Sequence, residues 1–187
     1  MERPILVRYV RRSSRFGEIA VVWFEGSRGP RVRRVLLPGR DVSSRAAVLF
    51  PAARRGTTGA ISELADRLAS FLDGEDVRFS LRLVDWGECT RFQRAVLKAE
   101  HGIPRGWVST YGAIARRVGV PGGARAVGRA LATNPFPLVV PCHRAVAAGG
   151  MLGGYQGGPA MKRALLMSEG VAFTARGRAV APRYFYP

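Results

Sequence analysis

Apolar residues occur first in short β-branched or aromatic runs and later at helical spacing. Ile5–Val10, Ile19–Phe24 and Val32–Leu37 are separated by Gly, Ser and Pro, which predicts three strands. The loop from Gly26 to Pro30 is a turn signal. Ser43–Phe50 predicts a short helix. Ile61, Leu64, Ala65, Leu68, Phe71 and Leu72 recur every three or four positions, and Gly74 closes that helix. Val77–Val84 reads as a strand or an extended link. From Thr90, a fair N-cap, the pattern is helical, with Phe92, Ala95, Val96 and Ala99 on one face. His101–Gly106 breaks it. Ser109–Val118 is a further helix with Tyr111, Ile114, Ala115 and Val118 on one face. Gly119–Gly123 is a tight turn, and Ala124–Thr133 a second short helix. A strand-like apolar run returns only near Leu138. The change of pattern near 84–90 divides the chain into 1–86 and 87–187. Two short helices around a Gly-containing turn suggest a helix-turn-helix, a pattern that αα-hairpins share.

Composition narrows the class. The chain has 187 residues, 47% of them hydrophobic, enough for a packed core. No apolar run approaches the roughly 20 residues that span a bilayer. Met1–Pro4 opens no signal-peptide core, so a cytoplasmic protein without a membrane partner is expected. Cys89 and Cys142 are too few for a disulfide framework or a Cys-based zinc site. Glu88 beside Cys89 disfavours a thiolate, so Cys89 is read as structural. The net charge is +17, and every cation except Lys98 and Lys162 is an arginine. Such a chain is drawn to polyanions, although a solvated basic surface would show the same excess.

The stretch Asn134–Arg144 carries the clearest chemistry. It delivers Cys142 between Pro141 and His143, with Arg144 next. An isolated cysteine is usually a small buried hydrophobe. Here the imidazole and the guanidinium are expected to lower the thiol pKa from about 8.5 and make a nucleophile.

Pro141-Cys142-His143-Arg144 resembles the O6-alkylguanine-DNA alkyltransferase family. The likeness continues in Ser109–Ala115, Ala124–Gly128, Asn134-Pro135, Gly153–Gly158 and Lys162 through Leu165 and Leu166 to Glu169 and Gly170. Order and spacing fit over roughly 88–170. The first 85 residues match only in kind. The resemblance implies an α+β chain: a small N-terminal α/β domain with a short antiparallel sheet, ribonuclease-H-like, and a mostly helical C-terminal domain containing a helix-turn-helix. It implies direct DNA repair, with one irreversible transfer of an alkyl group from O6-alkylguanine to Cys142, and leaves O4-alkylthymine open as a second substrate.

Roles follow from the same resemblance. His143 takes the thiol proton through a water and Glu169 orients His143, so that deprotonating Cys142 costs little near neutral pH. Tyr111 serves N3 of the leaving purine. Asn134 ties the second helix to the active-site turn. Tyr155 and Pro137 wall the base. Gln156 and Gly157 belong to the pocket-closing loop, where relatives often carry Ser at position 156. The carbonyls of Cys142 and Ala145 accept the guanine amine, and Lys162 belongs to the pocket. Arg125 fills the gap left by a flipped nucleotide. Thr110, Ala124, Ala126 and Gly128 lie on the DNA side, with small residues letting a helix enter the minor groove. Arg91, Arg94, Arg116, Arg117 and Arg129 are candidate phosphate contacts. No metal and no cofactor is expected. The expected partner is double-stranded alkylated DNA, bound by a monomer. A non-catalytic binder of alkylated DNA, a basic regulator with a structural Cys142, and a thiol hydrolase are the competing readings.

Overall fold

The computed structural model describes residues 6–39, 41–180 and 184–186. Met1–Pro4 and the expected strand start at Ile5 lie outside the described residues. The chain divides into two compact units.

The first unit runs to Asp85 and also takes in Pro135–Val139. It contains β1 (Val7–Ser14), β2 (Gly17–Gly26), β3 (Gly29–Leu36), α1 (Val42–Leu49), β4 (Arg54–Arg55) and α2 (Gly59–Asp73). The sheet order is β3-β2-β1-β4, antiparallel except for β4, which runs parallel to β1. Ile19–Trp23 of β2 are all fully buried because both faces of the sheet are covered. Ala20, Val22 and Leu36 pack with Val42 and Ala46 of α1. The other helix, α2, lies along β1 and β2 and buries Ile61, Ala65, Leu68, Phe71 and Leu72. Its end is set by Gly74, at φ 109°, a left-handed conformation that costs glycine no Cβ clash.

Of the two readings of Val77–Val84, the extended link holds and the strand does not: the stretch contains one 3₁₀ turn, Leu81–Leu83, capped by Ser80, and an isolated bridge from Val84 to Val32. The apolar run at 138–140 is likewise no strand, because Leu138 sits at φ 72° and turns the chain. Its residues are apolar because Phe136, Leu138 and Val139 are core. The Val35 amide donates to the Pro135 carbonyl at 2.8 Å.

The second unit begins at Trp86. It contains α3 (Arg91–His101), β5 (Ser109–Thr110), α4 (Tyr111–Arg117), α5 (Ala124–Ala132), β6 (Ala145–Val146), α6 (Gly158–Ser168), β7 (Ala172–Phe173) and β8 (Ala179–Val180). Thr90 caps α3 by accepting from the Gln93 amide. The buried face of α3 is Val96, Leu97 and Glu100, and Ala95 is exposed, so the expected stripe is rotated. The next helix starts at Tyr111 rather than Ser109: Thr110 is its cap, and Ser109 pairs in parallel with Ala145. The α4 and α5 helices pack on each other and on α3. Val108, Val146, Leu166, Val171 and Ala179 form a core beneath β5 and β6. Among the described residues no helix is long and apolar enough to cross a membrane.

Candidate active site

Cys142 opens a 3₁₀ turn, Cys142–Arg144, between Pro141 and β6. Its side of the turn faces a cavity of about 870 Å³ in the second unit. Tyr111, Arg116, Ala124, Arg125, Gly128 and Arg129 line it from the two short helices and Thr110 from the strand before them. Ala147, Ala148, Gly154, Tyr155 and Gln156 line it from the stretch before α6. Gly153 is required beside that wall, since a Cβ there would come within 2.6 Å of the Tyr111 hydroxyl.

Behind Cys142 lies a buried polar network. His143 Nε2 meets Glu169 Oε1 at 2.9 Å. Arg144 donates to the same carboxylate, Nε to Oε2 at 2.9 Å and Nη2 to Oε1 at 2.7 Å, and to the Ile103 carbonyl. Burial alone would raise Glu169, but His143 and Arg144 outweigh it and hold the carboxyl at about 2. Burial pulls His143 down against the attraction of Glu169, so the imidazole is neutral. With the Nε2–H donating to the ionised Glu169 carboxylate, the basic nitrogen is Nδ1.

The expected activated thiol is not what the resting site holds. Burial pushes Cys142 up to about 12 and Glu100 adds to the rise, against the Asn134 hydrogen bond, the Lys162 charge and a backbone amide, which pull the other way. Arg144 cannot lower the thiol as expected, because its guanidinium is turned to Glu169 and Ile103. The direct donor to sulfur is Asn134: its Nδ2 lies 3.3 Å from Sγ and 3.2 Å from the Val140 carbonyl.

Other residues singled out in the sequence are dispersed around this centre. Gln156 sends its Nε2 to the Asn134 carbonyl at 2.8 Å, which commits that nitrogen to backbone. Tyr155 has a buried hydroxyl without a hydrogen-bond partner among the described residues. Burial also raises Tyr111, to about 12, with Glu100 and Cys142 contributing. Lys162 is fully buried and donates to the Ala145 carbonyl at 2.6 Å and the Gly154 carbonyl at 3.2 Å. Ala126 and Gly157 are not among the lining residues. Pro137 belongs to the first unit. Arg94 donates to the Trp86 carbonyl and lies over its ring, and the exposed Arg117 lies over Tyr186. The sequence reading missed Glu100, a carboxylate fully buried in α3. Its position four residues after Val96 was the available signal. Among the described residues no group of three or more His, Cys, Asp or Glu could hold a metal ion.

A mixed α+β chain with a buried cysteine at an arginine-lined cavity defines the class of protein. The family described as 6-O-methylguanine DNA methyltransferase, DNA binding domain, matches residues 91–171. A methylated-DNA–protein-cysteine methyltransferase of Methanothermobacter thermautotrophicus is 49% identical over 113 residues, covering 60% of this chain and 63% of that protein. The Mycobacterium tuberculosis enzyme of the same name is 47% identical over 111 residues, covering 59% of this chain and 66% of its own. The chain thus aligns with just under two thirds of these relatives' lengths. Similarity to a solved structure extends further: the crystal structure of Mycobacterium tuberculosis OGT in complex with DNA is 35% identical, has a TM-score of 0.70, and is matched over 87% of this chain and 93% of that one. The chain belongs to the O6-methylguanine-DNA methyltransferase family.

Proposed function

We propose that this protein moves an alkyl group from O6 of guanine in DNA to Cys142 Sγ, once per molecule. The observation that carries the reading is the thiol at the cavity floor, backed by the His143–Glu169–Arg144 network. The S–C bond forms as the C–O6 bond breaks. The thiol proton passes to His143 Nδ1 through a water, and Glu169 stabilises the imidazolium that results. Tyr111, on the cavity wall, donates to N3 of the departing purine and relieves its charge. A thiol pushed up by burial is inert at rest, so its proton leaves only as the base arrives and the attack begins. The product is a thioether with no group placed to cleave it, which makes the protein a stoichiometric reagent.

The binding mode belongs to the same proposal. The α4-turn-α5 pair is a helix-turn-helix whose second helix enters the minor groove of duplex DNA. Ala124 and Gly128 keep that helix slim, Ala126 adds no bulk, and Thr110 caps the first helix at the cavity rim. Arg125 is exposed on α5 and fills the gap of a flipped nucleotide. Residues 87–187 carry the chemistry, 1–86 form a ribonuclease-H-like domain, and the protein acts as a cytoplasmic monomer without a cofactor.

The test is to mix the protein with duplex DNA carrying radiolabelled methyl at O6 of guanine. We expect about one label per protein, located by mass spectrometry on the Cys142 peptide. Binding without transfer would favour a non-catalytic damage binder, and label on Cys89 would remove the assignment.

A further inference from the structure

The cavity that Cys142 faces has two walls, one from α4 and α5 and one from residues 147–156 before α6. Six of the twelve residues 147–158 are glycines, and ahead of α6 they hold a single 3₁₀ turn, Ala148–Gly150. Glycine loses the most backbone freedom on ordering, so a wall of this composition keeps one position only where something ties it down. Leu152 packs on the core beneath β5 and β6. Lys162 holds the Gly154 carbonyl from behind at 3.2 Å. A third tether crosses to the other wall: Gln156 Nε2 donates to the Asn134 carbonyl at 2.8 Å. That carbonyl stands just past the end of α5, where a helix leaves its last carbonyls without intrahelical partners. Two glutamines serve this end. Gln93 of α3 donates to the Ala130 and Thr133 carbonyls at 3.2 and 3.3 Å, and Gln156 donates to Asn134. Asn134 is buried, with its own Nδ2 on the Val140 carbonyl and on Cys142 Sγ. Gln156 is exposed at the cavity rim, so water competes for its amide and the tether can open.

We propose that Gln156 is a positioning residue, a latch that fixes the glycine-rich wall to the end of α5 and so holds the pocket closed on the guanine while the alkyl group moves. The inference rests on the alkyl-transfer reading. The latch acts on the wall and not on the sulfur, because the side chain of Asn134 has its own two bonds apart from the carbonyl that Gln156 holds. Losing the latch weakens the grip on the base and leaves the thiol's own reactivity as it was. One net hydrogen bond makes this an effect of roughly three- to tenfold.

The experiment follows benzyl transfer from free O6-benzylguanine to Cys142 in single turnovers over a range of substrate concentrations. Gln156→Met keeps the length of the side chain and removes the donor. It should raise the half-saturating concentration roughly three- to tenfold, with the limiting rate changed less than about twofold. Iodoacetamide alkylation of Cys142 should match wild type. Gln156→Glu keeps the shape and, when ionised, turns only acceptors towards the Asn134 carbonyl. Its half-saturating concentration should exceed wild type at neutral pH and approach it as pH falls towards the ordinary Glu value of 4.5, where the protonated acid donates. Arg116, Arg125 and Arg129 on the same cavity and Lys162 behind the loop favour the ionised form, so the recovery comes at the acid end. A packing role alone gives no such pH dependence. Hydrogen exchange of the 153–158 amides needs no substrate, and it should quicken in Gln156→Met while α5 keeps its protection. A fall in limiting rate at unchanged half-saturation overturns the proposal. So does a Gln156→Glu variant that matches wild type at neutral pH, or whose ratio to wild type is flat with pH. If wild type takes no benzyl group while exchange at 153–158 still quickens in Gln156→Met, the alkyl-transfer reading fails and the latch stands. Benzyl transfer by wild type with half-saturation and exchange both unmoved in Gln156→Met overturns the latch alone.

Discussion

Glu169 concentrates three interactions on one buried carboxylate: two arms of Arg144 and the His143 imidazole. Its folded pKa of about 2 lies below the ordinary 4.5. The stability it contributes is therefore present above 4.5 and lost as pH falls through 2. His143 works in the same direction. Its imidazole is held neutral by burial, so below about 6.5 the unfolded chain takes up a proton that the folded one refuses. Glu169→Gln should cost on the order of 3 kcal/mol at neutral pH, since the variant loses the carboxylate that His143 and Arg144 stabilise. Urea unfolding midpoints from neutral to acid pH measure this. Wild type should lose stability steeply on acidification, and the variant should start lower and fall less.

The α5 helix combines a buried inner face, Val127, Ala130 and Leu131, with an outer face of small residues and arginines. Gly128 sits in its interior, and a Cβ there would meet nothing within 4 Å. Gly128→Ala should stabilise the fold by roughly 0.5–1 kcal/mol through helix propensity. Gly128→Leu should also fold, yet, in the proposed minor-groove mode, weaken binding to duplex DNA at least about tenfold, because the added side chain would fill space that mode gives to the groove. Chemical unfolding and fluorescence anisotropy separate the two effects. Elements whose shape follows from local pattern are readable in advance. The three strands, the helix ending at Gly74 and the cap at Thr90 are such cases, each set by neighbours within a turn or two. The resemblance names Cys142, His143 and Glu169 together, and the structure sets Glu169 against the His143 that follows Cys142. What the sequence hides is direction. It does not show that Arg144 turns to Glu169 rather than to the thiol, because the partner is 25 residues away. Glu100 is hidden for a related reason: a polar residue on a helix is read as solvated until the packing around it is known. The run at 138–140 misleads because apolar residues suit a buried turn as well as a strand.

Net charge acts on the whole molecule. With +17 carried almost wholly by arginine, affinity for duplex DNA should fall at least about tenfold between roughly 50 and 200 mM salt, with little dependence on flanking sequence. Arg125→Ala should slow repair in duplex DNA far more than reaction with free O6-benzylguanine, and equal losses would count against flipping. Connectivity has a consequence of a different kind. Pro135–Val139 returns to the first unit after the chain has begun the second. The first unit is therefore incomplete until Val139 has left the ribosome, although its strands and helices are all made by Asp85. At about 5–20 residues per second the sheet waits some 3–10 s for Phe136, Leu138 and Val139. During that interval the apolar surface that Phe136, Leu138 and Val139 cover in the folded unit lacks its partner, an opening for chaperones and for aggregation.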